Sequence, residues 1–478
     1  MVAARYAGRV VAPEFPDGLD WIGSSHPLRL SELRGRLVIL DFWTFCCINC
    51  QHVLPQLRHL EELYAGRLTV IGIHSPKFTA EHQTEALRTA VDRLSVAHVV
   101  VNDRDFAIWR LYTVRAWPTL VFIDPNGRIV GRHEGEFDLA AMRETVEAML
   151  EEFGIGSADP IYPSVDEAMA VGSHLRFPGK AIGTEDGYAI SDTGNHRIVI
   201  ASSGGQVQTI FGGPDAGFRD GEAREARFRD PQGLAVSRDG LWIADTGNHA
   251  LRLIDPQGMV HTLAGDGTQG ELWNSPWDIT YCDRVLYVAM AGNHRIVAYS
   301  PNTRIAKPFA GSTREGLRDG RGTGADFAQP SGLCLDGNRL VVADSESSSI
   351  RAVDLRTQAV TTIVGEGLFE FGDRDGVGEA VRLQHPLGVT GCRGRVYICD
   401  AYNHRIKELD TETRTVHTIA GGGRAGLVDG YGTDALFSEP GGIAVANGRI
   451  LVADTNNHAL RLMDLDTREV VRLPITGL

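Results

Sequence analysis

The sequence lacks any uninterrupted apolar run of 18 residues, so no transmembrane helix is predicted and no membrane partner is expected. Residues 1–16 contain two arginines but no continuous apolar segment of the kind that a secretory signal carries. Cysteine is scarce, with seven among 478 residues. Four of the seven stand far apart in the sequence, and we interpret them as buried free thiols. We therefore expect a cytoplasmic protein that folds without a disulfide scaffold.

Positive charge is also in deficit. The chain carries 47 Lys+Arg against 61 Asp+Glu, a formal net charge of −14, of which residues 1–150 contribute −2 and the remainder −12. Because nucleic-acid binding relies on basic side chains that attract phosphates, this balance predicts that no nucleic acid is bound. The length and the apolar fraction of 43% are typical of a folded protein of about two or three domains.

Residues 1–153 alternate between strand-like and helix-like patterns. Continuous apolar runs at Leu37–Phe42 and Leu68–Ile73 read as buried strands, and leucines between them recur at a helical spacing. A strand–helix–strand unit followed by a hairpin and a last helix predicts an α/β sandwich with a mixed sheet. The other predicted elements are a helix over 79–94, a strand over 97–101, a hairpin over 118–133 and a helix over 138–153.

Two cysteines, Cys47 and Cys50, lie where the first strand gives way to the first helix. A cysteine at a helix N-terminus is next to the positive end of the backbone dipole, which favours thiolate over thiol. Cys47 is therefore the candidate attacking thiolate, and Cys50 the thiol that resolves the mixed disulfide. Cys46 allows an alternative pairing, although a bridge between adjacent residues is strained. The alternatives are an inert pair and a zinc site, but no fourth ligand for zinc is evident nearby, so no metal is predicted.

The dithiol and its surroundings resemble the thioredoxin superfamily, in its branch of peroxiredoxin-like and thiol–disulfide reductase domains. Asp41 lies six residues before Cys47, where thioredoxins carry a buried acid. Pro55 lies five residues after Cys50, where the active-site helix of the family kinks. The resemblance implies that Asp41 accepts the proton of Cys50, because burial raises the pKa of a carboxyl group towards neutrality.

Trp117 and Pro118 match the cis-proline loop of that superfamily. The match implies that Pro118 is cis and that the neighbouring backbone faces an extended substrate beside the dithiol. Trp117 is bulky where thioredoxins usually have a smaller aliphatic residue, so it either narrows the substrate groove or packs over the cysteines. The chain departs from the usual motif at Cys46, where a Trp is common, and at Ile48-Asn49, which replace a proline-containing pair.

A linker with glycines and prolines at 154–174 precedes a repetitive region at 175–478. Its motif, Asp-x-x-Asn-His between apolar strands, recurs six times at a spacing of 45 to 56 residues. Four strands per unit at this period predict an all-β, six-bladed β-propeller, and the unit resembles the NHL repeat. The first motif residues are Asp192, Asp245, Met290, Asp344, Asp400 and Asp454.

Most positions of this motif are interpreted as turn residues, because a residue type present in nearly every blade is expected to build the tight turn of the blade itself. The exceptions, Met290 in the third copy and Ser347-Ser348 in the fourth, mark either a differentiated face or drift. A second motif, Gly-x-x-Asp-Gly, recurs in long loops between blades, which either bind a partner or pack on one another. Its aspartates are Asp220, Asp319, Asp375 and Asp429.

Together the two parts resemble the NHL repeat-containing protein 2 family over nearly the whole chain. The resemblance implies a thiol–disulfide oxidoreductase joined to a propeller that binds protein partners, either on the propeller or at the dithiol groove, with no cofactor. Animal members carry a further C-terminal β domain, which we do not expect in this chain. The alternatives are a non-enzymatic scaffold with a structural thioredoxin fold, and a propeller lyase or hydrolase with calcium in its channel.

Overall fold

The computed structural model describes residues 5, 6, 8, 10–156 and 174–478. The chain divides into two compact units, Met1–Met169 and Ala170–Leu478. The predicted linker at 154–174 falls largely on 157–173, which lie outside the described residues. Ile155 still packs in the core of the first unit. No helix among the described residues is long and apolar enough to cross a membrane.

The first unit is an α/β fold around one seven-stranded sheet. The strand order is β1-β7-β6-β3-β4-β5-β2, in which β3, β4 and β5 are parallel and their neighbours antiparallel, so the predicted mixed sheet is confirmed. The strands are β1 Val10–Val11, β2 Asp20–Ile22, β3 Leu37–Trp43, β4 Leu68–His74, β5 Val99–Asn102, β6 Thr119–Ile123 and β7 Arg128–Glu134; the helices are α1 Ile48–Leu63, α2 Thr84–Arg93, α3 Ala107–Leu111 and α4 Leu139–Glu152, with 3-10 turns at Leu30–Leu33 and Thr79–His82.

Strand β3 is buried along its whole length, because a central parallel strand is covered on both faces. Its side chains alternate between two cores: Leu40 and Phe42 belong to one, and Leu37 and Ile39 belong to the other, with the apolar residues of α1. Asp41 follows the second set in the alternation. The sheet therefore turns the Asp41 carboxyl group towards α1, the helix that begins at the dithiol.

The prediction of one helix over 79–94 is wrong. The segment forms a 3-10 turn at Thr79–His82, an extended residue at Gln83, and then α2. The cause is Glu81, whose carboxylate turns inward and accepts hydrogen bonds from the Lys77 and Phe78 amides. That inward turn ends the first helical segment before α2 begins.

The second unit is a six-bladed β-propeller of antiparallel sheets, each made of consecutive strands. The first three blades have four strands; the last three gain a short fifth strand at Gly320–Arg321, Gly376–Val377 and Gly430–Tyr431. The main strands, blade by blade, are Lys180–Gly183, Gly187–Asp192, Arg197–Ser202 and Val207–Gly212; Pro231–Ser237, Gly240–Asp245, Ala250–Ile254 and Val260–Ala264; Pro276–Cys282, Val285–Met290, Arg295–Ser300 and Ile305–Ala310; Pro330–Asp336, Arg339–Asp344, Ser349–Asp354 and Ala359–Val364; Pro386–Cys392, Arg395–Asp400, Arg405–Asp410 and Thr415–Ala420; Pro440–Ala446, Arg449–Asp454, Ala459–Asp464 and Glu469–Leu473.

In five blades the repeated motif forms a 3-10 turn between the second and third strands, and its last residue makes a hydrogen bond to the next blade. In blade two, Asp245 Oδ2 accepts hydrogen bonds from Asn248 Nδ2 at 2.9 Å and from the Arg252 guanidinium at 2.6 Å. His249 accepts a bond at Nδ1 from the Ser275 amide of blade three. The corresponding His458 in blade six accepts from Phe177 ahead of blade one, which closes the ring. The 3-10 turns are Thr193–Asn195, Thr246–Asn248, Ala291–Asn293, Ala401–Asn403 and Thr455–Asn457, with others at Gly322–Gly324, Gly378–Ala380 and Gly432–Asp434.

The two exceptional copies keep this architecture by other means. In blade four, Ser347 Oγ donates to Asp344 Oδ2 at 2.8 Å in place of the asparagine, and Ser348 Oγ accepts from the His385 amide in place of the histidine. In blade three, Met290 replaces the aspartate, and Val297 stands seven residues on, where blade two has its arginine. Met290 and Val297 are both fully buried in one apolar cluster. An apolar pair thus replaces an ion pair.

The Gly-x-x-Asp-Gly loops are held by the blades themselves. Asp220 Oδ1 accepts from Arg252 at 2.8 Å and from Thr262 Oγ1 at 2.8 Å. The same contact recurs between Asp319 and Arg351, between Asp375 and Lys407, and between Asp429 and Arg461. These contacts are those that the packing interpretation of the loops requires.

Backbone contacts and one ion pair fill the centre of the ring. Glycines stand two residues after the strand-opening proline in four blades, and a Cβ on Gly442 would lie 2.3 Å from the Gly179 carbonyl oxygen. In the other two blades the position holds Lys180 and Asp278, which pair at 2.5 Å. Among the described residues, no three His, Cys, Asp or Glu side chains are grouped so as to hold a metal.

Blade three suggests a test of how blade two is stabilised. Arg252→Val should lower the free energy of unfolding by about 3–5 kcal/mol, because two carboxylates lose their buried cation. Asp245→Met together with Arg252→Val copies Met290 and Val297, and should cost less than the sum of the single changes. Chemical denaturation of the full chain measures all three variants, with the exposed Arg238→Ala as a near-neutral control. Strictly additive costs would contradict this account.

Candidate functional site

The dithiol lies at the start of α1, with one thiol accessible and the other enclosed. Cys47 is the residue before the helix, and its carbonyl accepts from the Gln51 amide at 3.1 Å. Cys47 is half-buried, whereas Cys50 is only 1% exposed. All seven cysteines are free, so Cys47 and Cys50 are not joined by a disulfide. The arrangement is that of a reduced dithiol in which only Cys47 is open to a reactant.

The buried thiol holds its proton strongly. Burial raises the pKa of Cys50 well above its ordinary value, and the hydrogen bond with Cys47 raises it further. The charge of Asp41 also raises this pKa. For Cys50 to act as a nucleophile, its proton therefore needs a nearby acceptor.

Asp41 has the properties of such an acceptor. It is fully buried, and neither carboxyl oxygen has a hydrogen-bond partner. Burial raises its pKa to about 7, while His98 lowers it and Glu61 raises it. A carboxyl group that titrates near neutral pH can both accept and release a proton under physiological conditions.

Glu81 is a site residue that sequence analysis missed. Its carboxylate is fully buried and accepts from Thr44 Oγ1 at 2.8 Å and from the Cys46 amide at 3.1 Å. The Lys77 and Phe78 amides donate to the same carboxylate at 2.6 and 3.0 Å. Burial raises the pKa of Glu81 to about 7. Glu81 thereby ties the backbone just before the dithiol to the segment that follows β4.

The third thiol of the motif points into the protein. Cys46 is buried, and its Sγ lies 3.8 Å from Thr44 Oγ1. Phe45 before it stacks on the buried His74, with ring centroids 5.2 Å apart. Burial lowers the pKa of His74 to about 3, so this ring is a neutral packing surface. Alternative pairing of Cys46 with Cys47 or Cys50 stays a prediction.

The loop that contains Pro118 places Trp117 in a cluster of aromatic rings. The Trp117–Pro118 peptide bond is cis, as the resemblance implies. Trp117 is half-buried; its Nε1 donates to the Ser75 carbonyl at 3.0 Å, and its ring packs on Trp109 with centroids 4.7 Å apart. Phe106 contacts the same ring edge-on. Trp117 is therefore fixed by this aromatic cluster.

Comparison with known proteins gives the same two parts. The sequence profile of the thioredoxin-like family matches residues 35–129, and that of the NHL repeat matches 228–252, 327–352 and 437–461. NHL repeat-containing protein 2 of Bos taurus is 39% identical over 520 residues, which cover 98% of this chain and 72% of that protein.

Two further relatives match over different lengths. Protein SUPPRESSOR OF QUENCHING 1, chloroplastic, of Arabidopsis thaliana is 42% identical over 514 residues, or 97% of this chain and 48% of that protein. The chain thus spans about half the length of that plant relative. Thiol-disulfide oxidoreductase ResA of Halalkalibacterium halodurans is 30% identical over 126 residues, or 26% of this chain and 65% of that protein.

The raised pKa of Asp41 has a consequence for stability. The folded protein keeps this proton up to about pH 7, whereas the unfolded chain releases it near the ordinary value of 3.8. The stabilisation is present below the ordinary value and is lost as pH rises through 7. Asp41→Asn removes the ionisation, so relative to wild type it should gain about 3–4 kcal/mol of unfolding free energy between pH 4 and pH 8.

Chemical denaturation at both pH values measures this gain. Asp105→Asn, at an exposed position of the same unit, is the matched control and should show no pH-dependent difference from wild type. An Asp41→Asn variant with the same relative stability at both pH values would show that the carboxyl group is already ionised when folded.

Glu81→Gln tests the anchor of the dithiol loop. A carboxylate accepts from all four donors, whereas the amide nitrogen of glutamine faces some of them and leaves buried donors unpaired, at about 1–3 kcal/mol. We expect lower thermal stability and faster alkylation of the buried Cys46. Glu85→Gln, at a side chain that is 85% exposed, is the control. Unchanged Cys46 alkylation would contradict an anchoring role.

Proposed function

The chain belongs to the NHL repeat-containing protein 2 family, and on that premise we propose that it is a thiol–disulfide oxidoreductase with Cys47 and Cys50 as its dithiol. One observation carries the proposal: Cys47 is accessible at the start of α1, Cys50 three residues on is buried, and the buried Asp41 carboxyl group is turned towards the same helix. The thioredoxin-like match and the similarity to an oxidoreductase of that name support it.

The reaction follows from the unequal exposure of the two thiols. Cys47, as a thiolate, attacks one sulfur of a substrate disulfide; the substrate S–S bond breaks, a mixed disulfide forms, and the other substrate sulfur leaves as a thiolate. Cys50 then attacks Cys47 Sγ, its proton passes to Asp41, and the substrate leaves as a thiolate. The substrate disulfide is reduced and the dithiol is oxidised. Pro118 and Trp117 form the wall along which the substrate lies in this proposal.

Exposed apolar side chains support a second part of the proposal, that the propeller binds a protein partner. They cluster on the loops around the fifth strands of blades five and six, where a solvated surface is otherwise expected to be polar. The side chains, with their exposed fractions, are Phe369 66%, Val377 57%, Leu427 43%, Val428 46% and Tyr431 59%. The cytoplasmic location stays a prediction.

Reduction of insulin disulfides, with dithiothreitol as the electron source, tests the oxidoreductase. Cys47→Ser should abolish turnover, and Cys50→Ser should accumulate a mixed disulfide because the resolving thiol is gone. Cys46→Ser should keep activity, and so should the control Cys334→Ser, a buried thiol of the propeller. If wild type is no faster than Cys47→Ser, the oxidoreductase is contradicted and the non-enzymatic scaffold takes its place.

A further inference from the structure

A histidine ring occupies the space beside Asp41. Asp41 pairs in register with Gly72 of β4, and Gly72 pairs with Val100 of β5. Gly72 has no side chain, and the rings of His98 and Trp43 fill the space that a side chain would take. A Cβ on Gly72 would lie 3.1 Å from His98 Nε2 and 3.0 Å from Trp43 Nε1. His98 precedes β5 by one residue and lies two positions before Val100, so it shares this face.

The other ring nitrogen of His98 points to a carboxylate on α1. His98 Nδ1 lies 3.4 Å from Glu61 Oε2, and Glu61 Oε1 accepts from the Val70 amide at 3.1 Å. The side chain of His98 is 1% exposed and that of Glu61 is 16% exposed. The row Asp41, His98, Glu61 therefore leads from a fully buried carboxyl group to a glutamate whose side chain is partly exposed.

All three groups have unmet hydrogen-bonding capacity. Both carboxyl oxygens of Asp41, both ring nitrogens of His98 and Oε2 of Glu61 are buried and make no hydrogen bond. Buried polar atoms are almost always paired, so three such groups in one row need an explanation. Carboxyl groups and imidazoles placed one after another can accept and release a proton in turn.

We propose that His98 and Glu61 are positioning residues that carry protons between Asp41 and solvent. This inference rests on the oxidoreductase proposed above. Without such a path, the proton that Asp41 takes from Cys50 has no exit from a site closed by the sheet and α1.

The path completes the resolving step. Cys50 Sγ bonds to Cys47 Sγ, the bond between Cys47 and the substrate sulfur breaks, and the substrate leaves as a thiolate. The Cys50 proton moves to Asp41 and then to His98 Nε2, while His98 Nδ1 gives a proton to Glu61, which exchanges it with water. The titratable groups that face Asp41 are Cys50 and Glu61 from α1 and His98 from the start of β5.

His98 and Glu61 shift the pKa of Asp41 in opposite directions. The charge of His98 lowers the pKa of Asp41 and that of Glu61 raises it. His98→Gln should therefore move the midpoint of the pH–rate profile of the resolving step to higher pH, and Glu61→Gln should move it to lower pH. Both should slow the maximal resolving rate by about 10-fold or more, in the range for loss of a proton-transfer group.

Stopped-flow reaction of the reduced full-length protein with an aromatic disulfide that releases a coloured thiolate separates the two steps. The first release reports attack by Cys47 and should be unchanged in both variants; the second reports attack by Cys50. His59→Gln, at an exposed histidine of α1, is the matched control. Thermal unfolding of each variant shows that it is folded, and Glu61→Gln, nearer the surface, keeps the test available if His98→Gln unfolds.

The outcomes separate this inference from the one on which it rests. We expect the wild type to show both release phases. We expect the second phase to be slower in the two variants, with its pH midpoint shifted up in His98→Gln and down in Glu61→Gln. Two folded variants with the wild-type second phase at every pH would overturn the relay and leave the oxidoreductase standing. A wild type that shows no second phase would overturn the oxidoreductase, and the relay with it.

Discussion

The Asp41 carboxyl group is enclosed between the central strand of the sheet and α1 without a hydrogen-bond partner, and the chemistry of the first unit depends on this. Enclosure costs free energy when the group is ionised, which is why its pKa rises to about 7. The same enclosure raises the pKa of Cys50. Because burial raises the pKa of both Asp41 and Cys50, a proton can pass between them more readily than between either group and a solvated neighbour. In the proposed reaction Cys47, which is accessible at the start of α1, is the thiol that meets the substrate.

The propeller uses buried aspartates for the opposite purpose. Asp245 is as buried as Asp41, but it accepts from Asn248, from the Arg252 guanidinium and from a backbone amide. Burial still raises its pKa, to about 6, yet every acceptor position is engaged. Such a carboxylate holds strands and loops together and has no capacity left for a reactant. The two carboxyl groups thus differ in their partners: both oxygens of Asp245 accept hydrogen bonds, whereas neither oxygen of Asp41 does.

Much of this could be predicted from the sequence, because the signals were local. Apolar runs gave the strands, the CxxC spacing gave Cys47 and Cys50, and six copies of one motif gave six blades. The helix break at Gln83 and the anchor Glu81 were missed, since a buried glutamate in a polar segment has no local signature. His98 and Glu61 were also missed: Glu61 on α1 meets His98 ahead of β5 only when the helix packs on the sheet. In blade four, serines that looked degenerate in sequence make the same hydrogen bonds as the residues they replace.

The central claim is that Cys47 and Cys50 form a reversible disulfide while Cys46 stays a thiol. Equilibration of wild type and Cys46→Ser with glutathione buffers of graded potential, followed by mass-spectrometric mapping of the bridges, tests it most directly. We expect one bridge, Cys47 to Cys50, in both proteins and at the same midpoint potential. Absence of a bridge at every potential, or a bridge that involves Cys46 in wild type, would contradict it.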